Sequence, residues 1–291
     1  MEAKKFKLKK QIPNIILTLV FIMGLGIFLY PTISSLVNNW TQNRELSRYK
    51  NAVVALPTEK YEKLIEDARA YNKTLVGNNF KKNAENAKNT NCKNLLSLDA
   101  KGIIGYLTID KINVKLPIYH GTGNLVLQVG LGHLDGSSLP VDGESVHCVI
   151  SGHTGLPSAK LLTNLVELKE GDNFRINVLN ERYTYKVDQI LVVEPNETDA
   201  IDIVEGEQYV TILTCTPYGV NSHRLLVRGK LVNNISEFDV AEDATVIVDF
   251  NTIILIVSVI FMVIMFIVMV KIGKRRAHKE RENDEKKDIG K

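Results

Sequence analysis

Residues 209–219 read Tyr209-Val210-Thr211-Ile212-Leu213-Thr214-Cys215-Thr216-Pro217-Tyr218-Gly219. The first six are β-branched, aromatic or apolar, which is strand composition. Pro217 and Gly219 then break the run. A strand that stops at Cys215, just before a turn, sets a thiol at one rim of whatever sheet it belongs to.

The neighbouring sequence repeats this pattern. From residue 102 to residue 232, short apolar or alternating runs are separated by Gly, Asp, Asn and Pro. The predicted strands are 103–109, 114–118, 146–151, 173–178, 182–193, 209–214 and 225–232. Tyr183, Tyr185 and Val187 alternate with polar neighbours, as a half-buried strand requires. Residues 179–182 join two runs as a hairpin turn. The helix expected within this region covers 156–168. Many short strands at regular spacing point to an all-β domain, a closed barrel or a sandwich. About 130 residues is an ordinary size for one such domain.

Two more strand ends carry reactive side chains. His153 follows Val149-Ile150-Ser151-Gly152, and Arg224 precedes Leu225-Leu226-Val227. The three strand ends can therefore share a rim. A thiolate is a nucleophile whose pKa a nearby cation lowers. A histidine can protonate a leaving amine and later accept a proton from an attacking one. An arginine is permanently charged and donates several hydrogen bonds to a developing oxyanion or a substrate backbone. Each residue also has an ordinary reading: a buried small hydrophobe, a turn residue, a surface cation.

Upstream, residues 40–75 read as helical. Thr58-Glu59 can open a helix after Pro57, and Tyr61, Leu64, Ile65, Ala68, Tyr71 and Leu75 recur at helical spacing. This is the pattern of a neck packed on the β domain. Residues 77–94, rich in Asn and Lys, lack an apolar period and read as a loop.

The ends of the chain are apolar spans with basic flanks. Residues 11–43 carry no charge, and the 19 residues 252–270 are uncharged. A membrane helix needs about 20 such residues. The basic start would also suit a signal peptide, but Tyr30-Pro31-Thr32 follows without a small-x-small cleavage site, so an uncleaved anchor is expected. Residues 1–10 hold five Lys against Glu2, and residues 271–291 hold nine basic against five acidic residues. Lys and Arg flanking a span stay in the cytoplasm, so both tails are placed inside and the region between the spans outside. The expected organisation is a cytoplasmic tail (1–10), an anchor (11–37), a helical neck and loop (38–100), the β domain (101–235), a linker (236–251), a second transmembrane helix (252–270) and a basic cytoplasmic tail (271–291).

The net charge of +3 comes from the tails. Nothing between them has the basic, aromatic-interleaved stripe of a nucleic-acid surface. Three cysteines, Cys92, Cys148 and Cys215, are an odd and sparse set for a disulfide-stapled outside domain. Cys148, inside the run 146–150, reads as buried. Asp135 and Glu144 lack the clustering of a metal site. His223 is expected to point away from its neighbour Arg224.

At these residues the sequence resembles the sortase family. Sortases carry a Thr-Leu-x-Thr-Cys motif, here Thr211-Ile212-Leu213-Thr214-Cys215, and a Gly-His-Thr motif, here Gly152-His153-Thr154. Their arginine precedes the last core strand, as Arg224 does. The stretches 116–121, 132–140 and 215–219, with the C-terminal span, look like class C sortases, which polymerise pilins. The resemblance covers about residues 103–232. It implies a β-barrel with N-terminal helices and two transmembrane helices. It further implies a cysteine transpeptidase that needs no cofactor or metal, with Cys215 as nucleophile, His153 as acid and base, and Arg224 stabilising the oxyanion and substrate. Thr214, Tyr218 and His133 are groove candidates.

The implied reaction cleaves the Thr–Gly bond of an LPxTG-like signal and passes the acyl group to a pilin lysine. The expected partners are surface-protein or pilin substrates and membrane lipid. A sortase acting on the cell wall keeps the same fold and remains an alternative. An L,D-transpeptidase would show Ser-x-Gly-Cys, which is absent here. A non-enzymatic adhesin would leave the Cys, His and Arg unexplained. Class C enzymes also carry a lid with an Asp-Pro-aromatic motif, where this chain has Gly77-Asn78-Asn79-Phe80. Either the lid is absent or the loop closes the groove by another contact. Cys92, at the end of that loop, is either a bystander or a redox partner for Cys215.

Overall fold

The computed structural model describes residues 2–87, 94–98, 102–157, 159–235, 257–271, 273 and 275, with no side chains described for 2–15 and 235. The chain divides into two units, one of residues 33–240 and one formed by the two chain ends. Helix α1 is Glu2–Val54, α2 is Thr58–Leu75 and α3 is Phe80–Ala87. Strands β1 (Ile103–Ile109) and β2 (Val114–His120) follow, then helix α4 (Asn124–Val129) and strand β3 (Leu131–His133). The remaining strands are β4 (Val146–Ser151), β5 (Asn173–Val178), β6 (Glu181–Val193), β7 (Gln208–Thr216) and β8 (His223–Ile235). A last apolar helix, α5, covers Val257–Lys271.

The eight strands close into a barrel in the order β1-β2-β3-β4-β7-β8-β6-β5. Strand pairs β2/β3 and β4/β7 are parallel, and the others are antiparallel. Alternation explains the interior. Phe174, Ile176 and Val178 of β5 face Tyr183, Tyr185 and Val187 of β6 in one core with Val210 and Ile212 of β7 and Leu225 and Val227 of β8. Every second residue points inward. Closure also leaves no unpaired sheet edge.

The neck packs on this barrel as expected. Leu46, Tyr49 and Val53 of α1 and Ile65, Ala68, Tyr71 and Leu75 of α2 join the same core. The Tyr49 hydroxyl donates to Ile104 O at 3.1 Å and accepts from Leu179 N–H at 2.8 Å. Asn72 exchanges two hydrogen bonds with the Leu139 backbone, at 3.0 and 2.7 Å. A bidentate Arg69–Asp142 pair sits at the edge of the contact.

Four elements differ from the sequence reading. Residues 80–87, expected as loop, form α3. Long-range hydrogen bonds hold it, beside the packing of Phe80: Phe80 N–H donates to Asp202 Oδ1 at 2.6 Å and Asn83 Nδ2 to Leu75 O at 2.9 Å. The Asn79 carboxamide accepts from Lys82 N–H at 3.1 Å, as an N-cap does. The helix expected over 156–168 is instead a bridge between Leu156 and Ala159 followed by a 3₁₀ turn at Thr163–Glu167. Ala159, Leu161, Leu162, Leu165 and Leu168 are buried there, and across the turn Leu162, Leu165 and Leu168 recur every three residues, the period of a 3₁₀ turn. Strand β3 and helix α4 were not anticipated, being only 3 and 6 residues long.

Candidate active site

The β7–β8 ladder sets Cys215 opposite Arg224. Both side chains are partly exposed. They share the face of Leu213 and Leu226, two residues along each strand, which is the outer face of the barrel because Ile212 and Val227 fill the core. The Arg224 Nη1 group donates to the carbonyls of Asn221 at 3.2 Å and His223 at 3.0 Å, which ties the guanidinium to the β7–β8 turn.

His153 reaches the same rim from β4. The parallel β4/β7 register pairs Ser151 with Leu213. The next residue continues the association: Gly152 N–H donates to Leu213 O at 3.0 Å, and the Thr214 hydroxyl donates to Gly152 O at 2.8 Å. His153 and Cys215 are the residues that follow Gly152 and Thr214. A side chain at Gly152 would force the buried Leu131 and Leu162 to move, since a Cβ there would lie 2.5 Å from Leu131 Cδ2 and 2.7 Å from Leu162 Cδ1. The His153 carbonyl accepts from Leu162 N–H at 3.2 Å, so the 3₁₀ segment supports the histidine turn.

The three groove candidates separate. Tyr218 is 68% exposed, and its ring lies beside Gly155 of the histidine loop, bridging the two loops that flank Cys215. Thr214 and His133 are corrections to the sequence reading, because both are enclosed, at 1% and 0% exposure. Thr214 spends its hydroxyl on Gly152. His133 Nε2 lies 3.0 Å from Ser138 O and 3.2 Å from Ser137 Oγ, and burial pushes its pKa down to about 4. Neither offers a surface to a substrate.

Cys148 is buried, and desolvation pushes its thiol far above the ordinary range. His223 lies opposite Thr216, on the strand face away from Arg224, and is held between Ser222 Oγ at 2.8 Å and Glu194 Oε1 at 3.2 Å. Cys92 lies outside the described residues.

The sequence reading placed Phe80 in a loop and gave it no contact of its own. Phe80 packs on a second apolar cluster of Val149, Ile201 and Leu226, with Leu134, Leu191 and Leu213 around it. Val149, Leu213 and Leu226 form an apolar strip on the outer faces of β4, β7 and β8 that leads to Cys215 and Arg224. Phe80 packs against the cluster that contains Val149 and Leu226, in a segment that has no Asp-Pro motif. Gly136, at φ +93°, allows this, because α3 crosses it so closely that a Cβ there would lie 2.6 Å from the Ala84 backbone.

The chain belongs to the sortase family of cysteine transpeptidases: a Sortase domain matches residues 107–232, and its solved neighbours are of the sortase C class. Sortase C1 from Streptococcus agalactiae is 45% identical with a TM-score of 0.62, covering 66% of this chain and 100% of that one. A sortase C from Streptococcus pneumoniae, described with its pilin substrate specificity, is 40% identical with a TM-score of 0.59, covering 65% and 97%. Sortase C from Clostridium perfringens, solved with the C-terminal cell wall sorting motif, is 42% identical with a TM-score of 0.58, covering 65% and 98%.

Proposed function

We propose that this protein is a membrane-anchored sortase that cleaves an LPxTG-like sorting signal and transfers the acylated protein to a lysine amine of a pilin subunit. The observation that carries the reading is the convergence of Cys215, Arg224 and His153 at one rim, two of them cross-strand partners and the third on a turn bonded to the cysteine strand. The Cys215 thiolate attacks the threonine carbonyl, and Arg224 donates to the oxyanion that develops. The Thr–Gly bond breaks as His153 gives its proton to the departing glycine amine. The lysine amine then attacks the thioester, and His153 takes its proton back as the thiolate leaves. The apolar strip that leads to Cys215 suits the Leu-Pro end of such a signal. The Streptococcus pneumoniae neighbour's pilin substrates and the Clostridium perfringens neighbour's cell wall sorting motif support the substrate class.

Helix α1 contains a segment, from Ile16 onward, long and apolar enough to cross a membrane, and α5 is a shorter apolar helix. With basic residues flanking both, the reading holds two spans, both tails in the cytoplasm and the barrel outside. The deciding experiment incubates the protein with an LPxTG-bearing pilin and follows covalent products. A ladder that depends on Cys215 and on the acceptor lysine is expected. Cleavage by Cys215→Ala at the wild-type rate would remove the central claim. Transfer only to a cell-wall amine would replace the pilin acceptor.

A further inference from the structure

We propose that Thr214 is a positioning residue: its buried hydroxyl sets the place of His153 relative to Cys215. The inference rests on the transpeptidase reading of those two residues. Thr214 is 1% exposed, so its side chain acts only through what it touches inside the domain. What it touches is the Gly152 carbonyl, at 2.8 Å. That carbonyl belongs to the peptide unit whose nitrogen is His153 N. A peptide unit is planar, so fixing its oxygen fixes the plane from which the His153 Cα is carried.

The same glycine is held on its other side. Its N–H donates to Leu213 O at 3.0 Å, and a side chain on it would force the buried Leu131 and Leu162 to move. The two peptide units before His153 are thus bonded to the two residues before Cys215, once by backbone and once by the Thr214 hydroxyl. The backbone bond belongs to the β4/β7 ladder and survives any side-chain change. The hydroxyl bond is the last tie before the histidine, and beyond it the chain leaves β4 into a loop. Without it, the His153 turn keeps its strand but loses the constraint nearest the imidazole. A proton-transfer group displaced by about 1 Å can cost about 100-fold in rate, while the outer-face residues beside Cys215 and Arg224 keep their places.

The test uses the full chain in detergent, with Thr214→Val, Thr214→Ala and Thr214→Ser. Peptide cleavage is measured with a fluorescence-quenched LPxTG peptide. The rate of iodoacetamide alkylation at Cys215, read by peptide mapping, is measured against pH, and thermal midpoints are recorded alongside. Valine keeps the buried volume and removes the donor, whereas serine keeps the donor. Positioning requires kcat to fall by about 100-fold in Thr214→Val with KM within about twofold, and Thr214→Ser to recover most of it. It also requires the pH profile of Cys215 alkylation to move in the valine and alanine variants and to stay in place in the serine variant. Alkylation needs no sorting signal. A moved profile with no cleavage by the wild type would therefore overturn the substrate reading and uphold the positioning role. The role is overturned if the valine variant matches wild type in both kcat and alkylation profile. It is equally overturned if serine fails as badly as valine, or if valine and alanine both unfold, since the hydroxyl would then serve folding alone.

Discussion

Cys215 and Arg224 are directly paired residues of the β7–β8 ladder, with their side chains on the same outer face of the barrel. Directly opposed residues in an antiparallel pair hold their Cβ atoms about 5 Å apart. The cation is therefore delivered to the thiol by strand register, with no dependence on a mobile loop. The turn carbonyls of Asn221 and His223 then hold one edge of the guanidinium. A guanidinium has more donors than those two bonds use, and the rest can meet a substrate oxygen.

Arg224→Lys is expected to lose most activity while keeping the fold. A lysine keeps the charge but lacks the planar array that can bond the turn and an oxyanion together. Loss of an oxyanion donor costs about 100-fold or more in kcat. Peptide cleavage kinetics check this, and a lysine variant within about threefold of wild type would reduce Arg224 to a structural role.

Phe80→Ala is expected to lower KM for the sorting peptide. Phe80 packs against the cluster of Val149, Ile201 and Leu226, whose outer-face residues lie next to Cys215 and Arg224, so an apolar substrate segment that uses this surface would compete with Phe80. A ligand that binds only the uncovered state gains apparent affinity as that state becomes more populated. The same change should lower stability by about 1–3 kcal/mol through lost apolar contact. Steady-state kinetics with thermal melts separate the effects. An unchanged KM alongside a lowered midpoint would mean that Phe80 packs on the strip without obstructing it.

The long strands were legible because their signal is local: alternation in 182–193 and apolar runs ended by Gly, Pro or Asn. The places of Cys215, His153 and Arg224 at the ends of such runs were legible for the same reason, while their grouping into one site came from the family resemblance. Helix α3 was not, because what fixes it is remote. Asp202, the acceptor for Phe80 N–H, lies 122 residues downstream. The role of Thr214 was misread for a related reason. Its partner Gly152 is 62 residues away, and only the parallel β4/β7 register brings the two together. The family resemblance made His133 a groove candidate, whereas the barrel closes over it.

Protease added to intact protoplasts is expected to digest the domain between α1 and α5 while epitope tags placed at Met1 and Lys291 remain protected. The basic residues flanking both apolar segments make inward placement of each tail the favourable one. Immunoblotting against each tag, before and after permeabilisation, reads the result directly. Loss of either tag from intact protoplasts would overturn the two-span arrangement.

Stability is expected to fall below about pH 6.5 and to be level above it, because two histidines are buried in the neutral form. Burial lowers the pKa of both His133 and His147 from 6.5 to about 4. His147 Nδ1 lies 2.8 Å from Asp202 O, and Nε2 lies 2.8 Å from the Thr211 hydroxyl, so the first nitrogen carries the proton and the second accepts. The charges that act on it are Arg228, which opposes protonation, and Asp188 and Asp202, which favour it; none outweighs burial. A proton added to His133 would fall on Nδ1, which is enclosed without a hydrogen-bond partner. Between the two pKa values the unfolded chain binds protons that the folded chain refuses, so unfolding gains ground as pH falls. At pH 5 the loss is about 2 kcal/mol for each histidine, in a range where most carboxylates are still ionised. Thermal midpoints of the full chain in detergent at pH 7, 6 and 5 measure it. His147→Gln should shrink the drop between pH 7 and pH 5 by about half. Equal midpoints for the wild type at pH 7 and pH 5 would mean that neither ring resists protonation in the folded state.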